Sequence, residues 1–248
     1  MIKVGLMGYG KAGQAVAEVL RNDPRYELCW VARRTTNTKM ETVPETNIPI
    51  IGLDRVVLAD WLDSHPVDAL VDFSNSDTLA LYGEEVRKRK LMLVSAISAY
   101  SPQELEYVRS LGEDTRVLCS PNITLGINFL IMAAKLLHTI APFADVAILE
   151  QHFREKPEIS GTARKIAESL EVDDDQITSL RLGGIVGHHE VIFGFPYQTV
   201  RLIHNSIKRE AFGTGTAFAL NELASASVGF YTFDDLLMIK VRAQLKQE

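Results

Sequence analysis

The first half of the chain alternates short apolar runs with helical patterns, and this alternation limits the fold more than any other feature. The runs are nearly continuously apolar, which is typical of strands buried on both faces of a parallel sheet. The predicted strands are Ile2–Met7, Tyr26–Ala32, Ala69–Phe73, Leu91–Val94 and Arg116–Cys119. The predicted helices between them are Gly13–Arg21, Arg55–Asp63, Asp77–Lys90 and Pro102–Leu111. We therefore predict a doubly wound parallel sheet in this half.

One helix start is marked clearly in the sequence. Ser101-Pro102-Gln103-Glu104 has a serine that can cap, a proline at the first helical position and a glutamate three residues after the serine. This arrangement is typical of a capping box. We predict that the helix begins at Pro102.

After Asn122 the pattern changes. A predicted helix, Leu125–His138, is followed by β-rich runs with few helices between them, and a further helix is predicted at Arg209–Leu223. The predicted strands are Asp145–Gln151, Thr178–Gly183, Gly187–Phe195 and Gln198–Asn205. Such a series favours an α+β domain built on a mixed or antiparallel sheet.

Composition and charge exclude several classes of protein. The 248 residues are 46% apolar and 23% charged, which favours folded domains over disorder. A net charge of −6 and a single short basic run, Arg87–Lys90, argue against nucleic acid as a partner. The apolar run Phe129–Leu137 is too short to span a membrane, and the chain opens directly into a strand without a signal peptide. We expect a cytosolic protein with no membrane partner.

The sequence does not indicate a metal site. Cys29 and Cys119 lie inside apolar strand-like runs, far from any metal-binding or redox spacing, and are interpreted as small core residues. His188-His189-Glu190 offers a metal-binding alternative, but neighbouring residues on a strand point to opposite faces and no third ligand has a suitable spacing.

A glycine motif follows the first predicted strand and opens the first helix. Gly8, Tyr9, Gly10, Lys11, Ala12 and Gly13 fit G-x-G-x-x-G. Glycines there allow a tight turn and close approach of the backbone to a pyrophosphate, which the amides at the helix start can bind. The motif predicts that these six residues form a dinucleotide site in a Rossmann-type domain.

The end of the second predicted strand bears on the choice of dinucleotide. An NAD site commonly places Asp or Glu here, whereas this chain has Arg33 and Arg34 followed by two threonines. Guanidinium groups favour a 2′-phosphate through charge-assisted hydrogen bonds. We expect NADPH to be preferred, with NADH as the alternative.

Several segments, in order over nearly the whole chain, together resemble the dihydrodipicolinate reductases (4-hydroxy-tetrahydrodipicolinate reductases). Val71–Ser74 resembles the family's VDFT, Ser120–Asn128 its APNFSIGVN, and Glu150–Ala163 its E-x-HHRHK-x-DAPSGTA. Gly187–Phe193 resembles G-x-HEVxF, and Gly229–Leu237 resembles G-x-Y-x-x-x-D-x-L. Phe212 and Gly215 also fall where the family has phenylalanine and glycine.

The resemblance implies roles for individual residues. It implies that His152 is the catalytic proton donor and that Lys156 holds the substrate and supports the same step. The residues implied to bind substrate are Phe153, Ser160, Gly161 and Thr162. Those implied to bind the cofactor, beyond the glycine motif and the two arginines, are Phe73, Ser74, Ala96, Ile97, Ser98, Ser120, Pro121, Asn122 and Ile123.

Elementary chemistry is consistent with these roles. A histidine can supply a proton near neutral pH, and an ammonium group attracts a dicarboxylate. Ser160–Thr162 precedes the helical pattern Ala163–Leu170, so its amides and the threonine hydroxyl can bind a carboxylate at a helix start. A lone histidine at a strand end is more often structural, but the pairing with Lys156 favours catalysis. His204 and Arg209 are assigned a supporting role, and His189 a structural one.

The chain departs from the family at three places. Phe153 replaces the second histidine, Glu158-Ile159-Ser160 shortens D-A-P-S, and Ala96-Ile97-Ser98-Ala99 replaces the GTTG loop beside the nicotinamide. The loss of polar groups can relax specificity for a dicarboxylate, since a site rejects analogues through its unpaired polar groups.

Three hypotheses follow. The first is an NADPH-dependent reductase of a cyclic unsaturated amino dicarboxylate in lysine and diaminopimelate biosynthesis. The second is a related reductase of another imine or amino-acid-derived substrate, and the third is a non-catalytic NADP(H)-binding protein.

We expect residues 1–121 with 212–248 to bind the dinucleotide, and residues 122–211 to bind substrate and to oligomerise. The resemblance implies a homotetramer.

Overall fold

The computed structural model describes residues 1–36 and 41–245. The chain divides into two compact units, Met1–Thr124 with Phe212–Glu248, and Leu125–Ala211. The last three residues of the range 212–248 lie outside the described residues.

The strands and helices are numbered in chain order. The strands are β1 (Ile2–Met7), β2 (Tyr26–Arg33), β3 (Glu41–Thr42), β4 (Pro49–Gly52), β5 (Ala69–Asp72), β6 (Met92–Ser95), β7 (Arg116–Cys119), β8 (Asp145–His152), β9 (Ile177–Arg181), β10 (Gly187–Phe195), β11 (Gln198–Ser206) and β12 (Gly229–Tyr231). The helices are α1 (Lys11–Asn22), α2 (Leu58–Ser64), α3 (Leu79–Arg89), α4 (Pro102–Leu111), α5 (Leu125–Ile140), α6 (Gly161–Leu170), α7 (Glu210–Ser225) and α8 (Phe233–Leu245).

The first unit is built on an eight-stranded sheet in the order β12-β7-β6-β5-β1-β2-β4-β3. Its strand pairs are parallel except for β3, which pairs antiparallel with β4 at one edge. The order reverses at β1, and ligands of such sheets bind outside the carboxyl ends of the strands at this reversal. The predicted Rossmann-type doubly wound sheet is confirmed.

Apolar side chains from the strands and from the helices α2, α3 and α4 form the largest core cluster of this unit. Trp30 on β2 and Tyr82 on α3 are fully buried in it. On β2, the Tyr26 hydroxyl donates to the carbonyl of Ala217 in α7 at 2.6 Å. This bond ties the last segment of the unit to its first half.

The second unit is a four-stranded sheet in the order β11-β10-β8-β9. β10 pairs antiparallel with β8 and β11, whereas β8 and β9 are parallel and are joined through α6. Along β8 every second residue is buried, namely Val146, Ile148, Glu150 and His152. The period of two places all four side chains on one face. The predicted mixed sheet is confirmed.

The structure also contains elements that the sequence patterns did not predict. β3, β4 and β12 have two to four residues each, too short to give a periodic signal, and Pro49 opens β4 in a segment that is typical of a loop. The tail after β12 continues as the helix α8. α3 ends at Arg89, because the next residue, Lys90, has a left-handed conformation (φ 54°) that stops the helix.

The predicted capping box is present at the start of α4. The Ser101 hydroxyl accepts from the Glu104 amide at 3.2 Å, and the Glu104 carboxylate accepts from the Ser101 amide at 2.7 Å. Pro102 is the first helical residue.

Within the described ranges, none of the helices combines the length and apolar content of a membrane span.

Replacing Ser101 with alanine tests the contribution of the capping box. We expect the free energy of unfolding to fall by about 1 kcal/mol, because the Glu104 amide loses its acceptor. Gln103→Ala, an exposed change in the same helical turn, serves as the control and should stay within about 0.5 kcal/mol of the wild type. Urea denaturation of the three proteins measures both, and equal stabilities would contradict a role for the cap.

Candidate functional site

The glycine motif forms the turn between β1 and α1. Gly8 has φ +90°, and a Cβ there would lie 2.6 Å from the backbone of Phe73. At Gly13 a Cβ would lie 2.0 Å from the carbonyl oxygen of Gly8. Gly10, by contrast, faces open space and leads into the exposed start of α1 at Lys11. Two glycines are thus required by packing, and the third leaves room for a ligand.

A pocket of about 800 Å³, the first pocket, lies beside this turn and is lined by Gly8, Tyr9, Gly10, Arg33 and Arg34, among others. The Arg33 guanidinium lies over the Tyr9 ring at 5.1 Å and pairs with the Glu41 carboxylate at 2.9 Å. Arg34 is exposed at the pocket wall. The structure therefore brings the motif and both predicted selector arginines together.

A second pocket of about 340 Å³ lies at the carboxyl ends of β5, β6 and β7. Its lining includes Phe212 and eight of the predicted cofactor residues, namely Ala12, Phe73, Ser74, Ala96, Ile97, Ser98, Pro121 and Ile123. Ser120 and Asn122 shape the adjoining turn, since the Ser120 hydroxyl donates to the Asn122 carbonyl at 2.7 Å. The linings of the two pockets share Phe73, Ser74 and Asn75, and Gly10 faces open space in the first pocket.

Asp72, at the end of β5, organises the loop that lines both pockets. It is fully buried and accepts from the Ser74 amide at 2.8 Å, from the Ser74 hydroxyl and from the Tyr82 hydroxyl at 2.8 Å. Burial raises the pKa of Asp72, against the opposing effect of these hydrogen bonds. Asp72 lies within the segment Val71–Ser74, but its sequence pattern gave no indication of this role.

In the second unit, a buried carboxylate lies behind the predicted proton donor. Glu150 has no exposed surface, and its Oε2 lies 2.5 Å from Nδ1 of His152, two residues further along β8. The Ser179 hydroxyl and the Ser160 amide donate to Oε1 at 2.7 and 3.2 Å. Arg181 on β9 donates to both oxygens, at 3.0 and 2.8 Å.

These contacts keep Glu150 ionised. Burial alone would raise the pKa of its carboxyl, but the hydrogen bonds from Arg181, Ser179, His152 and Ser160 outweigh it and hold the pKa at about 2. A carboxylate on Nδ1 fixes the orientation and tautomer of an imidazole and leaves Nε2 for a substrate.

The predicted anion-binding residues stand at the start of α6. Ser160 is buried and precedes the helix, and Gly161 and Thr162 are its first two residues. The Ser160 hydroxyl lies 2.9 Å from Nε2 of His189. Desolvation, followed by the neighbouring His152 and His204, lowers the pKa of His189 to about 3, so this ring is neutral at neutral pH.

Lys156 lies in the turn between β8 and α6 and is half-buried. Its amide donates to the Phe153 carbonyl at 3.1 Å, and its own carbonyl accepts from Arg181 at 3.0 Å. Phe153 is 43% exposed. One short segment thus carries His152, Lys156 and the start of α6.

Glu150 and Arg181 are the residues of this unit that the sequence analysis missed. A signal existed for Glu150, because residues two apart on a strand share a face. Arg181 had none, since the pairing of β8 with β9 is set by the tertiary fold. Among the described residues, no group of three His, Cys, Asp or Glu side chains is placed to hold a metal ion.

Comparison with known proteins decides the family. The family model "Dihydrodipicolinate reductase, N-terminus" matches residues 2–123, and "Dihydrodipicolinate reductase, C-terminus" matches residues 122–237. The chain belongs to the dihydrodipicolinate reductase family. Membership makes it an NAD(P)H-dependent oxidoreductase that binds a nicotinamide cofactor.

Individual members of the dihydrodipicolinate reductase family agree over nearly the full chain. The 4-hydroxy-tetrahydrodipicolinate reductase of Caldanaerobacter subterraneus subsp. tengcongensis is 29% identical, over 92% of this chain and 94% of its own. That of Thermosipho africanus is 27% identical, over 95% and 98%. The fold matches dipicolinate-bound dihydrodipicolinate reductase from Paenisporosarcina sp. TG-14 with a TM-score of 0.81, at 22% identity, over 94% of this chain and 97% of that one.

Alanine at Gly10 and at Gly13 should separate cofactor binding from packing. We expect Gly10→Ala to leave the free energy of unfolding within about 1 kcal/mol, since its Cβ meets open space, but to weaken nicotinamide dinucleotide binding. Gly13→Ala should lower the free energy of unfolding by about 1–3 kcal/mol because its Cβ overlaps the Gly8 carbonyl. Urea denaturation and fluorescence titration measure the two effects. Undiminished nucleotide binding by Gly10→Ala would contradict a pyrophosphate beside this glycine.

Proposed function

We propose that the protein is an NADPH-dependent reductase of 4-hydroxy-tetrahydrodipicolinate, a cyclic unsaturated amino dicarboxylate, in lysine and diaminopimelate biosynthesis. Family membership and the activity named for the relatives support this proposal. The observation that carries it is the buried Glu150 carboxylate, 2.5 Å from Nδ1 of His152. This contact directs Nε2 of the predicted proton donor to a substrate.

The second unit supplies the groups that handle the substrate. His152 donates a proton from Nε2 as the ring is reduced, and the carboxylate on Nδ1 holds the imidazole in the orientation for that transfer. Lys156 attracts the dicarboxylate, and the Ser160–Thr162 amides at the start of α6 bind a carboxylate. Phe153 supplies an apolar wall beside them. His204 and Arg209 have supporting roles.

The first unit binds the cofactor. Bound NADPH supplies the hydride. Gly8–Gly13 receives the pyrophosphate, Arg33 and Arg34 contact the 2′-phosphate, and the residues around the second pocket hold the nicotinamide. Arg33 is shared with Glu41, so NADH stays an alternative. This division of roles assigns residues 1–121 with 212–248 to cofactor binding and 122–211 to substrate binding.

Two apolar replacements favour a second candidate, a related reductase of another imine. Phe153 is 43% exposed where the family has a histidine, and Ile97 lines the second pocket where the family has a polar loop. Fewer polar groups relax the demand for two carboxylates. A non-catalytic NADP(H)-binding role is less well supported, because binding of the nucleotide alone does not require the hydrogen-bonded pair of Glu150 and His152.

We also propose a homo-oligomer, tetrameric by resemblance. In the second unit α5 packs on β11 and α6 on β8 and β9. On the opposite face of the sheet, Leu180 and Ile203 are 39% and 54% exposed. Exposed apolar side chains on a sheet face are suited to a second copy of the chain.

The function is tested by NADPH oxidation with enzymatically generated hydroxytetrahydrodipicolinate, compared with other cyclic imines. We expect the dicarboxylate to be preferred, and His152→Gln to lower kcat by about 10²-fold or more with little change in NADPH affinity. His138→Gln, in the last turn of α5, serves as the control. Preference for another imine supports the second candidate, and comparable losses of turnover and cofactor binding would remove the role of His152.

Cofactor choice is tested by Arg33→Asp combined with Arg34→Ser. We expect NADPH binding to weaken relative to NADH binding, because the 2′-phosphate loses two cationic partners. Lys3→Asp with Lys88→Ser makes the same change in net charge at exposed positions of this unit, away from the first pocket. Dissociation constants for both nucleotides measure the ratio, and an unchanged ratio in the arginine variant argues against the selector role.

A further inference from the structure

Arg181 connects the buried carboxylate to the segment that handles the substrate. Its guanidinium makes five hydrogen bonds, two to Glu150 and one each to the carbonyls of Lys156, Glu158 and Leu180. The bonds to the Lys156 and Glu158 carbonyls measure 3.0 and 2.6 Å. An arginine has five N–H groups, so all of them are used.

Glu150 is bonded to both ends of the same segment. One oxygen meets Nδ1 of His152 at the end of β8, and the other accepts from the Ser160 amide at the start of α6. The turn that carries Lys156 lies between these two points. One ion pair therefore fixes the imidazole, the backbone of the lysine and the helix start together.

We propose that Glu150 and Arg181 are a pair of positioning residues for this reaction. Glu150 acts through His152 by holding Nδ1, and Arg181 acts through Lys156 and the start of α6 by holding the turn. The inference rests on the proposed function, because it assigns the pair's effect to the step in which His152 gives up a proton.

The two halves of the pair affect different kinetic constants. Glu150→Gln is isosteric, but it removes the charge and turns an amide N–H₂ toward groups that themselves donate. We expect kcat to fall by about 10²-fold, with little change in KM or NADPH affinity.

Arg181→Lys keeps a positive charge beside Glu150 but cannot bond both carbonyls of the turn. We expect KM for the substrate to rise by about tenfold, with a smaller change in kcat.

A double-mutant cycle separates positioning from general stability. If Glu150 acts through His152, the double variant with His152→Gln and Glu150→Gln should turn over as fast as His152→Gln alone. Losses that multiply, or equal changes in kcat and KM for both Glu150→Gln and Arg181→Lys, would overturn the proposal. If Glu150→Gln fails to fold, Arg181→Lys still tests the proposal, because it should raise KM more than it changes kcat.

The second unit offers a matched control. Glu190 on β10 is 5% exposed and pairs with Arg201 of β11 at 2.6 Å, on the opposite face of the same sheet. Glu190→Gln therefore removes a comparably buried charge away from the segment of His152. We expect it to lower the thermal midpoint and to leave kcat and KM unchanged. Light scattering of each variant checks that the oligomeric state is the same.

Proton NMR of protein labelled with ¹⁵N-histidine distinguishes failure of this inference from failure of the proposed function. A hydrogen held between Nδ1 and the carboxylate should give a strongly downfield resonance that Glu150→Gln removes. Loss of that resonance with unchanged kcat would overturn the positioning role. Wild-type turnover by His152→Gln would instead overturn the proposed function, while the resonance shows that the pair is formed.

Discussion

The candidate substrate site depends on an ionised carboxylate that has no contact with water. A buried charge is costly unless it is paired and hydrogen-bonded, and Glu150 meets both conditions through Arg181, Ser179, Ser160 and His152. The same bonds that offset its burial run to the residues on which the proposed chemistry depends. The hydrogen bonds to Glu150 therefore both stabilise this part of the second unit and hold the geometry of the candidate site.

Each unit uses a fully buried carboxylate to shape a functional loop, but the two differ in charge environment. Asp72 is met by hydroxyl and amide donors, and its pKa is raised by burial. Glu150 is met by a guanidinium as well, and its pKa falls to about 2. Hydroxyl and amide dipoles replace only part of the hydration that a carboxylate loses when it is buried. A cation in bidentate contact more than offsets that loss of hydration. The first arrangement suits a rigid loop that lines a pocket, and the second suits a fixed negative charge behind an imidazole.

Much of the architecture could be predicted from the sequence because its signals are local. The five parallel strands, the glycine turn and the Ser101 cap depend on residues close together in the chain. β3 and β12 are too short to give a periodic signal, and β12 pairs with β7, a strand far away in the chain. The glycine motif and the two arginines of the first pocket were predicted from the residues themselves, and the residues around the second pocket through a family resemblance. The binding roles of both sets stay predictions. Arg181 was not found because 25 residues separate it from the carbonyl of Lys156 that it bonds.

The saturation of Arg181 limits what else this arginine can do. Since each of its N–H groups already has an acceptor within the chain, it cannot also form a bidentate clamp on an incoming carboxylate. In the proposed function, negative charge on a ligand is then met mainly by the flexible ammonium of Lys156 and by the backbone amides at the start of α6. Attraction to a flexible ammonium acts over a longer distance and depends less on direction than a bidentate contact does. Ligand binding should therefore depend more strongly on ionic strength than on ligand shape.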